Sequence, residues 1–199
     1  MSARARTAIL ISGRGSNMGA LIAASADPAF PAEIVLVISN VETAEGLSHA
    51  AKAGVATKVI PHKPFASREA FDAAIDAALT EAGIEVVCLA GFMRILSDGF
   101  ARKWEGRLLN IHPSLLPAYK GVHVHERVIE AGERFSGCTV HFVVPELDAG
   151  PIVAQTQVPV MPGDTPETLA ARILVEEHKL YPAALKMLAA GRVKIENGA

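Results

Sequence analysis

The sequence predicts an α/β domain: a mostly parallel, twisted sheet with helices on both faces and an antiparallel edge near the C-terminus. Three observations predict it. Short, nearly unbroken apolar runs alternate with helix-length segments as far as residue 112, as in sheets buried on both faces. A glycine-rich turn stands between the first run and the first helix, the β-loop-α-β order of a right-handed parallel crossover. Two later runs alternate partly between apolar and polar residues, the pattern of strands at a sheet edge.

Taken in order, Thr7-Ala-Ile-Leu-Ile-Ser12 is the first strand, and Asn17 to Ala26, rich in Ala, Leu and Met, is the first helix. Glu33-Ile-Val-Leu-Val-Ile-Ser39 is a β-branched second strand. A helix near Glu45–Ala53 and a short strand near Thr57–Ile60 follow. A longer helix is started by Ser67, runs to about Ala82 and ends near Gly83. Val86-Val-Cys-Leu-Ala90 is the fourth strand and Leu108 to His112 the fifth. The fifth runs into Pro113-Ser-Leu-Leu-Pro117, where two prolines forbid regular structure. After a helix near His123–Ala131, Cys138–Val144 and Pro151–Val160 form the antiparallel pair. Thr165-Pro166-Glu167 opens the last helix with a capping hydroxyl, a first-turn proline and an acidic residue at the positive dipole end. Pro182 is a place where that helix can kink. No repeat or linker interrupts the chain, so residues 1–199 read as a single domain.

Composition narrows the function. Half of the 199 residues are apolar and a fifth charged, a globular profile, and the formal charge of −2 offers no broad positive field for a nucleic-acid backbone. Small ligands are therefore expected, with no nucleic acid and no membrane as partner. Cys88 and Cys138 each lie within an apolar run, which suits buried free thiols in a reducing compartment, and a cytoplasmic location is expected. The apolar stretch after the basic N-terminus is too short for a signal-peptide core.

Two segments point to chemistry. Gly13-Arg-Gly-Ser-Asn17 joins a strand to a helix, where backbone N–H groups and the positive helix end can cradle a phosphate. A tight turn that needs glycine only for its backbone angles explains the same residues. Met18 stands where a dinucleotide fingerprint has its third glycine, Ser39-Asn40 where it has an acidic residue, and the P-loop lysine is missing. Asn110 and His112 are two apart on an extended segment, so both face one side at a strand's carboxyl end. A carboxamide that donates to an oxyanion beside an imidazole that moves a proton suits attack on a carbonyl, with direct transfer between two bound substrates. Asp148, on a glycine-containing loop, would favour the charged form of His112 and fix its orientation, or else bond its own backbone in a turn. His123, His125 and His141 could join His112 and Asp148 around a metal. Zinc-hydrolase signatures are absent, however, and His123 and His125 start a helix on different faces, so no metal is expected.

Leu108-Leu-Asn-Ile-His-Pro-Ser-Leu-Leu-Pro117 and Glu146-Leu-Asp-Ala-Gly-Pro151 resemble the two signature segments of folate-dependent formyltransferases. With Ile11-Ser-Gly-Arg-Gly-Ser-Asn17 and Ala90-Gly-Phe-Met-Arg-Ile-Leu96, the resemblance runs nearly end to end. It is sharpest to the branch of the family that serves purine biosynthesis. It implies a Rossmann-like formyltransferase domain and transfer of a formyl group from 10-formyltetrahydrofolate, as co-substrate, to the amine of 5′-phosphoribosylglycinamide. Asn110 and His112 would then stabilise the tetrahedral oxyanion, with His112 as proton donor. Asp148 would tune His112 and place a water that relays the proton. Gly15, Ser16 and Asn17 match the phosphate-binding segment, and Glu177 the contact to the ribose hydroxyls. Met93, Arg94, Ile95 and Leu96 match the segment lining the folate pocket, which Asn110 also reaches, and Arg68 matches a further folate contact. Arg14 and Cys138 depart from the smaller polar residues common at those positions. Related branches that hydrolyse the formyl donor or act on methionyl-tRNA or amino-sugar nucleotides generally carry an extra domain, so the length argues against each as an expectation. A non-catalytic phosphate-ligand module is the alternative from another class. A monomer or homodimer is expected.

Overall fold

A computed structural model describes residues 4–195. One seven-stranded sheet has the order β3-β2-β1-β4-β5-β6-β7. Its strands are β1 (Ala5–Ile11), β2 (Ala32–Ser39), β3 (Ala56–Val59), β4 (Val86–Leu89), β5 (Leu108–His112), β6 (Phe135–Phe142) and β7 (Ile152–Pro159). The first five pair in parallel, while β6 runs antiparallel to both β5 and β7. The helices are α1 (Ser16–Ser25), α2 (Glu45–Lys52), α3 (Arg68–Glu81), α4 (Asp98–Lys103), α5 (Val124–Glu130) and α6 (Pro166–Ala189). This is the expected α/β class with its antiparallel edge, and β5 has the bounds read from the sequence. The strand expected at Cys138–Val144 begins earlier, at Phe135, and ends at Phe142.

Strand alternation assigns the two cores. Ile9 and Ile11 of β1 face Met18 and Leu21 of α1 together with Tyr181, Ala184 and Leu185 of α6. The intervening Ala8 and Leu10 face Phe71, Ile75 and Leu79 of α3, Phe100 of α4 and Trp104 at its C-terminal cap. A third cluster packs Val124 and Val128 of α5 against Cys138, Val158, Leu169 and Ile173. Helices thus cover both faces, as a sheet of buried strands requires.

Helix ends follow local chemistry. The Ser67 hydroxyl accepts from the Ala70 N–H, and Thr165 and Thr168 form a reciprocal capping box at the start of α6. That helix continues through Pro182. The short α4 went unread in the sequence; its cap, Ser97, is held from α3, where the Asp72 carboxylate accepts the Ser97 N–H at 2.6 Å. β1 has β2 on one side and β4 on the other, so the order in which strands are added reverses there, and a crevice opens at the strand carboxyl ends.

Candidate active site

Leu108, Asn110 and His112 share one face of β5 by strand period, and Leu108 is buried against the α3/α4 side of the sheet. Beyond it a cleft of about 710 Å³ opens, within the range of small-molecule sites. Asn110, His112, His141 and Asp148 all line it. Four of the large apolar side chains left exposed, Met93, Ile95, Val122 and Leu147, line the same cleft. Exposed apolar surface gathered in one place marks a binding groove.

The polar groups are mutually oriented. His112 is buried, and its Nε2 lies 2.9 Å from the Tyr119 carbonyl, which can only accept, so Nε2 carries a proton there. The ring's Nδ1 is 3.5 Å from Asp148 Oδ2. Asp148 has a buried side chain and a positive φ of 48°, and its Oδ2 accepts the Gly121 N–H at 2.8 Å. The carboxylate therefore turns inward to the neighbouring loop and not onto its own backbone. Pairing of β5 with β6 sets Asn110 opposite His141, whose Nε2 lies 3.3 Å from Asn110 Nδ2. His141 Nδ1 donates to the Phe142 carbonyl at 2.8 Å, which leaves Nε2 as an acceptor and aims the Asn110 amide nitrogen at it. Burial holds the His141 pKa below the ordinary value, in keeping with the neutral ring this arrangement needs.

A second polar cluster lies where β1 meets α1. Gly15 takes a left-handed backbone (φ 72°) and is followed by the helical Ser16, so successive N–H groups turn to one side. No side chain caps this helix and no acidic residue stands in its first turn, which leaves its positive end available to an anion. Asn17 Nδ2 donates to Glu177 Oε2 at 2.7 Å, joining α1 to α6, and the buried Asn17 Oδ1 has no partner. Burial pushes the Glu177 carboxyl up, partly offset by the Asn17 hydrogen bond.

The sequence-derived residues thus fall into two groups. Asn110, His112 and Asp148 converge in the cleft with Met93, Arg94, Ile95 and Leu96, while Gly15, Ser16, Asn17 and Glu177 form the α1/α6 cluster. Arg68 is exposed at the first residue of α3 and is not among the residues lining the cleft. The sequence suggested His141 only as a metal ligand, whereas the structure sets it against the Asn110 carboxamide. The usable signal was the β5–β6 pairing, which makes residues 110 and 141 cross-strand partners. The Tyr119 carbonyl and Gly121 N–H are backbone groups and left no trace in residue type. Cys88 and Cys138 are buried, free, and pushed up to about 12 by burial, so neither supplies a thiolate.

Residues 5–185 match the family model described as Formyl transferase. The phosphoribosylglycinamide formyltransferase of Escherichia coli (strain K12) is 44% identical over 96% of this chain and 90% of its own length. The bovine trifunctional purine biosynthetic protein adenosine-3 is 55% identical over 98% of this chain, which spans only 19% of that longer protein. Among solved structures, the phosphoribosylglycinamide formyltransferase of Brucella melitensis superposes with a TM-score of 0.90 at 56% identity, covering 96% of this chain and 98% of that one. Glycinamide ribonucleotide transformylase 1 from Symbiobacterium toebii gives a TM-score of 0.96 at 42% identity, covering 99% and 93%.

Proposed function

This chain belongs to the formyl transferase family, and from that premise we propose that it transfers a formyl group from 10-formyltetrahydrofolate to the amine of 5′-phosphoribosylglycinamide, a step of purine biosynthesis. The observation that carries the reading is that Asn110, His112 and Asp148 line one apolar-rimmed cleft, with His112 and Asp148 facing each other. The names of the relatives support the choice of substrates.

In this proposal the rim of Met93, Ile95, Val122 and Leu147, with Arg94 and Leu96, holds the flat ring of the folate, and Asn110 contacts its formyl end. Arg68 supplies an outer folate contact. The N–H groups of Gly15, Ser16 and Asn17 hold the acceptor's phosphate, and Glu177 the ribose hydroxyls. As the amine attacks the formyl carbon, the C–N bond forms and negative charge gathers on oxygen. Asn110, its carboxamide fixed by His141, donates to that oxygen. His112 is anchored through Nε2, so Nδ1, whose contact to Asp148 is longer than a hydrogen bond, is the atom able to face the reacting oxygen. Asp148 answers the positive charge of the ring and orders a water that carries the proton from the attacking amine to the folate nitrogen; the tetrahedral intermediate then collapses, the bond from the formyl carbon to that nitrogen breaks, and tetrahydrofolate leaves. No nucleophilic side chain is required.

Incubation with 10-formyltetrahydrofolate, with and without phosphoribosylglycinamide, while tetrahydrofolate release is followed, tests this. Release that depends on the amine is expected. Release at the same rate without it would replace the transferase by a hydrolase.

A further inference from the structure

Ser12, the last residue before the glycine turn, touches neither cluster's reacting groups, yet it is hydrogen-bonded to the segment lining one and continuous in backbone with the loop of the other. Its N–H donates to the Gly91 carbonyl at 3.1 Å. Its Oγ accepts the Met93 N–H at 2.8 Å, so one residue holds two points of the segment that lines the apolar cleft. A hydroxyl that accepts has one proton left to give, and it gives it to Asn40 Oδ1 at 2.6 Å. Asn40 is buried at the carboxyl end of β2, and its Nδ2 is within 3.2 Å of His62 Nδ1. The carboxamide therefore has its oxygen committed to Ser12 and its nitrogen to His62. On its other side Ser12 leads directly into Gly13, whose carbonyl accepts the Gly46 N–H at 3.1 Å.

We infer that Ser12, oriented by Asn40, is a positioning residue shared by the two substrate subsites: it sets the Gly13–Asn17 anion loop and the Met93–Leu96 folate segment against each other. The inference rests on the functional reading above. β1 ends between β2 and β4, and Ser12 is where the backbone of one subsite and a side-chain bond to the other meet in a single residue. A site holds its ligand well when its shell is pre-set before the ligand arrives. Removal of this hydroxyl releases the Met93 N–H directly and, by cutting the bond to Asn40, unseats the residue from which the anion loop starts, whereas Asn110, His112 and Asp148 have other supports.

The test is steady-state kinetics of Ser12→Ala, Ser12→Thr and Asn40→Ala, with each substrate varied in turn and thermal melts as a folding control. For Ser12→Ala the KM of both substrates should rise, each by about five-fold, as loss of one hydrogen bond implies, with kcat falling less than twofold. Ser12→Thr, which keeps the hydroxyl, should recover both. Asn40→Ala should reproduce the two-sided rise, so a poorly folded Ser12 variant would not leave the idea unexamined. Wild-type enzyme that turns over while Ser12→Ala and Asn40→Ala leave either KM unchanged would overturn the inference alone. Wild-type enzyme without amine-dependent turnover would overturn the functional reading instead.

Discussion

His112 is gripped through its backbone-facing nitrogen by the Tyr119 carbonyl, and its other nitrogen looks toward Asp148. The grip fixes ring orientation without using the carboxylate, which the Gly121 N–H holds independently. Position and charge are therefore separable contributions at this residue. A proton donor that acts as charge develops contributes to the transition state far more than to ground-state binding. His112→Ala should accordingly lower kcat on the order of a hundredfold or more, the usual share of a positioned acid or base, while the dissociation constant for the folate substrate changes little. Stopped-flow or single-turnover kinetics beside equilibrium binding would separate the two, and a retained kcat would remove His112 from the proposed chemistry. The placement of Asn110 and His112 on one face at a strand's end was legible in the sequence, because a strand running into a proline declares both its face and its end; their proposed roles came with the family resemblance. His141 was not, because what gives it a role is a partner on another strand, 31 positions away.

At the scale of elements, the proposed anion loop depends on the close approach of α2. A Cβ added to Gly46 would stand 2.5 Å from Cδ1 of the fully buried Ile11 and 3.1 Å from the Gly13 carbonyl oxygen, so the Ile11 side chain or the loop backbone must shift. Gly15 meets the same constraint from the other side, since its own Cβ would lie 3.2 Å from Gly46 Cα in addition to its positive φ. Gly46→Ala should push the loop away from α2, destabilise the fold by about 1–3 kcal/mol as overpacking does, and raise the KM for the phosphorylated acceptor more than that for the folate. Urea melts and two-substrate kinetics would check both, and an unchanged acceptor KM would show that the loop absorbs the methyl group elsewhere. Long periodic elements such as β2 and α3 could be read from composition and caps. The six-residue α4 could not: it contains Gly99 and is pinned by a carboxylate on α3, a tertiary cause that no local pattern announces.

Across the whole molecule, the two candidate clusters differ in how they load the fold. The cleft lies open at the sheet's carboxyl end, but the α1/α6 cluster places the Glu177 carboxyl, 7% exposed, 160 positions along the chain from the Asn17 amide that meets it. Only the topology, with α6 returning beside α1, brings them together, and the sequence carried Glu177 through a family resemblance and not through any spacing. Burial raises its pKa, with the Asn17 hydrogen bond opposing. The sign for stability follows. The unfolded chain releases this proton near the ordinary value of 4.5, whereas the native state holds it to higher pH. Between those values the native state binds more protons, so stability falls as pH rises through the window and stays lowered above it. Glu177→Gln has nothing to ionise, and its carbonyl oxygen can still accept from Asn17. The variant should melt at higher temperature than the wild type near neutral pH, with the two curves converging as pH falls toward about 4.5. The same change should weaken the proposed grip on the ribose hydroxyls, because a charged acceptor holds a hydroxyl more strongly than a neutral one. Thermal melts against pH, paired with the acceptor KM, therefore test one carboxylate as both a cost to folding and a binding group; a variant no more stable than the wild type at neutral pH would deny the first role.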